Sequence, residues 1–106
     1  MTKEEKLLLI EKFRKEELVP KDLAQNMSAG FSEITKVAIL LYNTCAPDLV
    51  AGIIGVICKY FDISKTDLTR KILNFMVDPK GITINELVNF IIDSIEEMVL
   101  DDVEVN

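Results

Sequence analysis

The stretch LVAGIIGVICKYF, residues 49–61, decides what kind of protein this chain forms. Residues 37–58 carry a single charge, Asp48, and a span of about 20 such residues is long enough to cross a bilayer. Pro47 and Asp48 nevertheless lie near the middle of that span. An Asp at the bilayer centre costs about 2.5 to 3.5 kcal/mol, and a proline here favours the start of a new helix. We therefore expect two soluble helices that meet at a turn, and no membrane segment.

Length and composition indicate one packed domain. The chain has 106 residues, of which 49% are apolar. One hydrophobic core usually serves about 100 to 150 residues, and this composition is too apolar for a disordered chain. We predict a single helical domain over residues 1–100, followed by an acidic C-terminal tail over residues 101–106.

The apolar periodicity predicts an all-α fold, a compact bundle of four main helices plus one short helix. The central hydrophobic helices are expected at about 32–45 and 47–61, and the short helix at PKDLAQNM, residues 20–27. Gly52 and Gly55 each disfavour a helix by about 1 kcal/mol relative to Ala. Because small residues let a neighbouring backbone come close, we expect another helix to cross over these two glycines.

Several helix ends and turns are marked by local signals. Ser or Thr followed three residues later by an acidic residue is typical of a helix N-terminus, where the hydroxyl accepts a backbone N–H. Three such pairs occur: Thr2 with Glu5, Ser64 with Asp67, and Thr83 with Glu86. The sequence DPKG, residues 78–81, predicts a type I turn. The first helix is expected to run to about Glu17 and the last to end near Leu100.

The charge is distributed unevenly along the chain. The net charge is −6, but residues 1–80 hold all 12 Lys and Arg against 11 acids, whereas residues 81–106 hold seven acids and no base. Such an end repels nucleic acid and membrane surfaces and attracts basic partners. A solvated face that only keeps the protein soluble explains the same pattern. The candidate partner-binding acids are Glu86, Asp93, Glu96, Glu97, Asp101 and Asp102.

The chain contains no histidine, which removes Ser-His-Asp and Cys-His catalytic arrangements and imidazole metal ligands. Cys45 and Cys58 lie within apolar helix faces, where a buried free thiol is the expected state. We therefore predict that the protein is not an enzyme and uses no cofactor or metal. Free thiols and an adequate core also favour a reducing cytoplasm.

One segment, ICKYFDISKTDLTRKIL, residues 57–73, resembles the helix-turn-helix segment of bacterial and phage regulators. The resemblance implies a recognition helix capped by Ser64. It departs from the pattern at Asp62, which replaces the usual turn glycine, and at Lys71, which replaces an apolar anchor. The residues that the resemblance places toward DNA are Lys65, Thr66, Thr69 and Arg70. A tight corner in a helical bundle produces a similar pattern, and the acidic net charge opposes DNA binding.

These observations favour a non-enzymatic protein-binding module, a small acidic regulator, inhibitor or adaptor that engages a basic surface of a larger protein. Inhibitors from phages and mobile elements share its size and charge, although no motif supports that analogy. The alternative is a DNA-binding transcriptional regulator that uses residues 57–73. A homo-oligomer stays open as a third interpretation because the chain has a surplus of apolar residues.

Overall fold

The computed structural model describes residues 2–15, 29–43, 46–76 and 82–101. Within these ranges the chain forms helices and no strands, which confirms the predicted all-α bundle. The helices are α1 (Lys3–Lys15), α2 (Ala29–Tyr42), α3 (Pro47–Phe61), α4 (Lys65–Phe75) and α5 (Ile84–Asp101). The predicted short helix at 20–27, the predicted turn at 78–81, Cys45 and Asp102 lie outside the described residues.

Three helices begin where the capping signals predicted. At α1, the Glu5 N–H donates to the Thr2 hydroxyl at 3.1 Å, and the Thr2 N–H donates to the Glu5 carboxylate at 3.2 Å. At the start of α5, the Glu86 N–H donates to the Thr83 hydroxyl at 3.1 Å, and that hydroxyl donates to the Glu86 carboxylate at 3.2 Å. At α4, the Asp67 N–H donates to the Ser64 hydroxyl at 3.2 Å. The hydrogen bond from the Thr2 backbone also lowers the pKa of the Glu5 carboxyl. Local hydrogen bonds therefore place these N-termini.

Helix α5 runs through the middle of the bundle. It packs against α1, α2 and α4. Its apolar residues recur every three or four positions, so that a broad side of the helix is buried. The buried residues are Leu87, Val88, Ile91, Ile92, Ser94, Ile95 and Val99. The stacked rings of Phe75 and Phe90, with centroids 3.9 Å apart, join α4 to α5.

Helix α3 packs chiefly against α2 and α4, and no other described helix packs against its remaining side to a similar extent. Ile54 and Phe61 belong to its buried side, whereas Leu49, Val56 and Tyr60 are exposed. The expectation that another helix crosses over Gly52 and Gly55 is wrong. A Cβ added at Gly52 would meet no atom within 4 Å, and one at Gly55 would meet only the Lys65 side chain, at 3.6 Å or more. The reason is that the neighbouring helices contact the opposite side of α3.

A close approach does occur at another glycine. Helix α2 begins at Ala29, three residues before the predicted start at 32, and therefore includes Gly30. A Cβ on Gly30 would lie 2.6 Å from Cζ of Phe13. The Phe13 ring is fully buried and contacts Phe31 and Phe61, with centroids 6.0 Å away in both cases. The absence of a side chain at Gly30 thus lets α1 and α2 meet around this aromatic centre.

None of the described helices combines the length and the apolar content that crossing a membrane requires.

Candidate functional site

The acidic residues of α5 lie along its exposed side, but bases from other helices neutralise part of their charge. Nη1 of Arg14 on α1 lies 2.7 Å from Oδ1 of Asp93, and its Nη2 lies 3.1 Å from Oε1 of Glu96. Nζ of Lys71 on α4 lies 3.1 Å from Oε1 of Glu97. The structure thus gives three of the predicted partner-binding acids a base within the chain, which sequence reasoning missed.

Arg14 is held in its charged form by this arrangement. Burial disfavours the guanidinium charge, and the hydrogen bonds and charges of Asp93 and Glu96 outweigh that effect, so the pKa of Arg14 is raised. All three side chains are at least one-third exposed, and solvent screening limits what such contacts add to stability. The cluster therefore joins α1 to α5 with a small gain in stability and reduces the negative field of this face.

A basic side chain also contacts the C-terminus of α5. Its last turns carry acids, which the helix dipole disfavours. Nζ of Lys3 donates to the carbonyl oxygen of Leu100 at 3.2 Å and supplies a positive charge there. Asp101 is exposed on the same turn. It lines a polar depression together with Asp62 and Asp67 of the α3–α4 corner.

The segment that resembles a helix-turn-helix forms a tight corner between α3 and α4. Asp62 adopts a left-handed conformation, with φ 55° and ψ 52°, where a glycine would be unstrained. The Ile63 N–H donates to the Cys58 carbonyl at 2.9 Å, which closes the end of α3. Lys71, the second departure from the pattern, faces Glu97 of α5 instead of an apolar partner. The ion pair with Glu97 therefore explains the departure at Lys71, and Asp62 occupies the left-handed position that the usual glycine would hold.

The four residues that the resemblance placed toward DNA do lie together. Lys65, Thr66 and Arg70 are exposed and Thr69 is half-buried. All four line one shallow depression along α4, with Leu73 and Asn74 continuing it. The Arg70 guanidinium lies 2.6 Å from the Asp67 carboxylate, so one of the two cations already has an acidic partner.

An apolar groove lies between α2, α3 and α4. Its lining comes from the C-terminal part of α2, the first two turns of α3 and the C-terminal half of α4, and its volume is about 460 Å³. Leu73, which is 56% exposed, stands at its edge. The other apolar residues of the lining are Leu40, Leu41, Pro47, Val50, Ala51, Ile54, Ile72 and Met76. Sequence reasoning did not locate this groove, because it depends on how three helices are placed.

Cys58 is a free and buried thiol, as predicted. Burial raises the pKa of the Cys58 thiol to about 11, although the nearby charge of Lys65 opposes the change. The thiol is therefore protonated at neutral pH, a state unsuited to nucleophilic attack.

Within the described ranges, no group of three or more cysteine or acidic side chains is arranged to hold a metal ion. Comparison of the whole chain with known protein families, with curated proteins and with solved structures gives no match.

Proposed function

We propose that this protein is a non-enzymatic protein-binding module that receives an amphipathic, basic helix of a larger protein. The observation that carries the proposal is the apolar groove between α2, α3 and α4. Grooves of this type accept the apolar side of a helix, with anchors three or four residues apart. A large exposed side chain at the rim, Leu73, supplies contact area that water now covers.

The negative charge supports a basic partner over an acidic one. The net charge is −6, and Glu86 and Asp101 on α5 make no described ion pair with a base. A basic partner would share the carboxylates of Asp93, Glu96 and Glu97 with Arg14 and Lys71. Charges of this kind raise the association rate and favour a partner of opposite charge. Apolar contacts supply most of the affinity.

The test uses two synthetic helix-forming peptides with the same leucine pattern, one carrying lysines and the other glutamates on the polar side. We expect the lysine peptide to bind at least about 10-fold more tightly at low salt, and the difference to shrink as salt is added. Fluorescence anisotropy of the labelled peptides measures both affinities.

The groove itself is tested with the Leu73→Glu variant and a matched control. Leu8 on α1 is 66% exposed and does not line the groove, so Leu8→Glu adds the same charge elsewhere. We expect Leu73→Glu to abolish binding of the lysine peptide and Leu8→Glu to leave it unchanged. Equal affinities for the two variants would refute the groove as the binding site.

The alternative function, DNA binding by α4, is favoured by the exposed depression that holds Lys65, Thr66, Thr69 and Arg70. Lys65→Ala with Arg70→Ala removes both cations. If the protein reads DNA, this double variant loses retention of duplex DNA in a mobility-shift assay. If it binds protein, the double variant keeps the groove-dependent peptide affinity.

A further inference from the structure

The outer face of α3 is an apolar strip that none of the described helices covers. Leu49, Val56 and Tyr60 are 54%, 55% and 47% exposed, and a Cβ at Gly52 would meet no atom within 4 Å. These positions recur every three or four residues, so they share one side of the helix. At 1.5 Å per residue the strip is about 16 Å long.

A pair of opposite charges borders this strip. Asp48 and Lys59 are both exposed and are 11 residues apart, which is about three helical turns, so they lie on the same edge. Within the described ranges neither residue makes an ion pair. One end of this edge is therefore negative and the other is positive.

The pattern is complementary to itself. In an antiparallel two-fold arrangement, each residue meets the position at an equal distance on the other side of the axis. An axis level with residue 54 brings three pairs together across the two copies: Asp48 with Lys59, Leu49 with Tyr60, and Gly52 with Val56. The first pair joins opposite charges, and the second packs an aliphatic side chain against an aromatic ring. In the third pair, the Val56 side chain lies over Gly52, where no side chain obstructs it.

From this symmetry we infer that the outer face of α3 binds a second copy of this chain, α3 against α3 in antiparallel orientation. This goes beyond the proposed function, because the groove uses the other side of α3, with Pro47, Ala51 and Ile54. One helix face from each copy covers less area than a stable interface, which typically buries about 1,200 Å² or more. The dimer therefore dissociates on dilution.

Charge-reversal variants test the orientation. Asp48→Lys alone sets two positive charges against each other, because position 48 faces Lys59 of the second copy. Lys59→Asp alone creates the corresponding acidic repulsion. We expect each single variant to raise the dimer dissociation constant at least about 10-fold. An equal mixture of the two variants restores both attractive pairs and recovers dimer. Sedimentation equilibrium of the full chain over a wide concentration range measures all of these constants.

Three further variants test the apolar strip. Val56→Glu places a charge at its centre and is expected to give a monomer, with an unchanged helical circular dichroism spectrum because the side chain is exposed. Leu8→Glu and Leu73→Glu, which lie elsewhere on the surface, should dimerise like the original chain. A chain that is monomeric at every concentration, a dimer that survives Val56→Glu, or a mixture of charge variants that stays monomeric would each overturn the inference.

Discussion

Helices α3 and α5 show how differently two apolar sequences are used in one bundle. Both contain ten apolar residues, but α3 is only 15 residues long with two charges, whereas α5 has 18 residues and five charges. The more apolar α3 nevertheless leaves Leu49, Val56 and Tyr60 exposed, while α5 contacts three other helices. In α5 the apolar residues are concentrated toward the core, and in α3 they extend from the buried side onto the exposed side. Total apolar content thus says little about how deeply a helix is placed.

The largest effect expected from this contrast is on the free energy of unfolding, when an apolar side chain of α5 or α3 is shortened to alanine. Ile91 of α5 is fully buried, so Ile91→Ala should lower the free energy of unfolding by about 2 to 5 kcal/mol. Val56→Ala on the outer side of α3 should change it by less than about 0.5 kcal/mol. Urea denaturation at low protein concentration measures both variants. Similar losses for the two would show that the outer side of α3 is packed within the monomer.

The buried side of α3 should make stability depend on pH. Because the folded-state pKa of Cys58 is raised to about 11, the protonated thiol stabilises the fold below the pKa of the unfolded thiol. This contribution is lost as the pH rises from about 9 to 11, and it amounts to about 3 kcal/mol at its full value. Urea denaturation across this pH range should show the loss in the original chain.

The Cys58→Ala variant is the control for this prediction. All other ionisable groups are the same in both proteins, so the difference between the two pH profiles isolates the thiol. Parallel profiles for the variant and the original chain would contradict the prediction.

A smaller effect is expected at Gly30, where α1 and α2 meet. The new Cβ of Gly30→Ala would lie 2.6 Å from Cζ of Phe13, a ring enclosed by other aromatic side chains. Overpacking costs about 1 to 3 kcal/mol, and the higher helix propensity of Ala offsets about 1 kcal/mol of that cost. A double-mutant cycle with Phe13→Leu measures the clash. Simple additivity of the two changes would argue against the contact.

The smallest effect is expected at Gly52. This glycine lies on the open face of α3 and serves as the comparison for Gly30, which lies at a close contact. Because a Cβ there meets no atom within 4 Å, Gly52→Ala should stabilise the monomer by about 0.5 to 1 kcal/mol through helix propensity alone. Thermal denaturation at low protein concentration, where the protein is monomeric, tests this increase. A loss of stability under those conditions would contradict the prediction and show that another part of the monomer packs against Gly52.

Predictions from the sequence succeeded where the determining contacts are local. Thr2, Ser64 and Thr83 start their helices because each hydroxyl reaches a backbone N–H only three residues ahead. The exposure of Lys65 and Arg70 was predictable for a similar reason, since both lie opposite the buried side of one amphipathic helix. The role of Gly52 was predicted wrongly, because a glycine in a helix is compatible with an open surface as well as with a close approach.

The sequence by itself determined the all-α class, most helix starts and the burial of Cys58, since these follow from hydrogen bonds and apolar periodicity within single helices. Only the tertiary structure decided that Arg14 meets Asp93, that Phe13 lies against Gly30 and that three helices enclose an apolar groove. Those contacts join residues far apart in the chain. Their formation depends on how whole helices pack, and no local pattern of side chains encodes that choice uniquely.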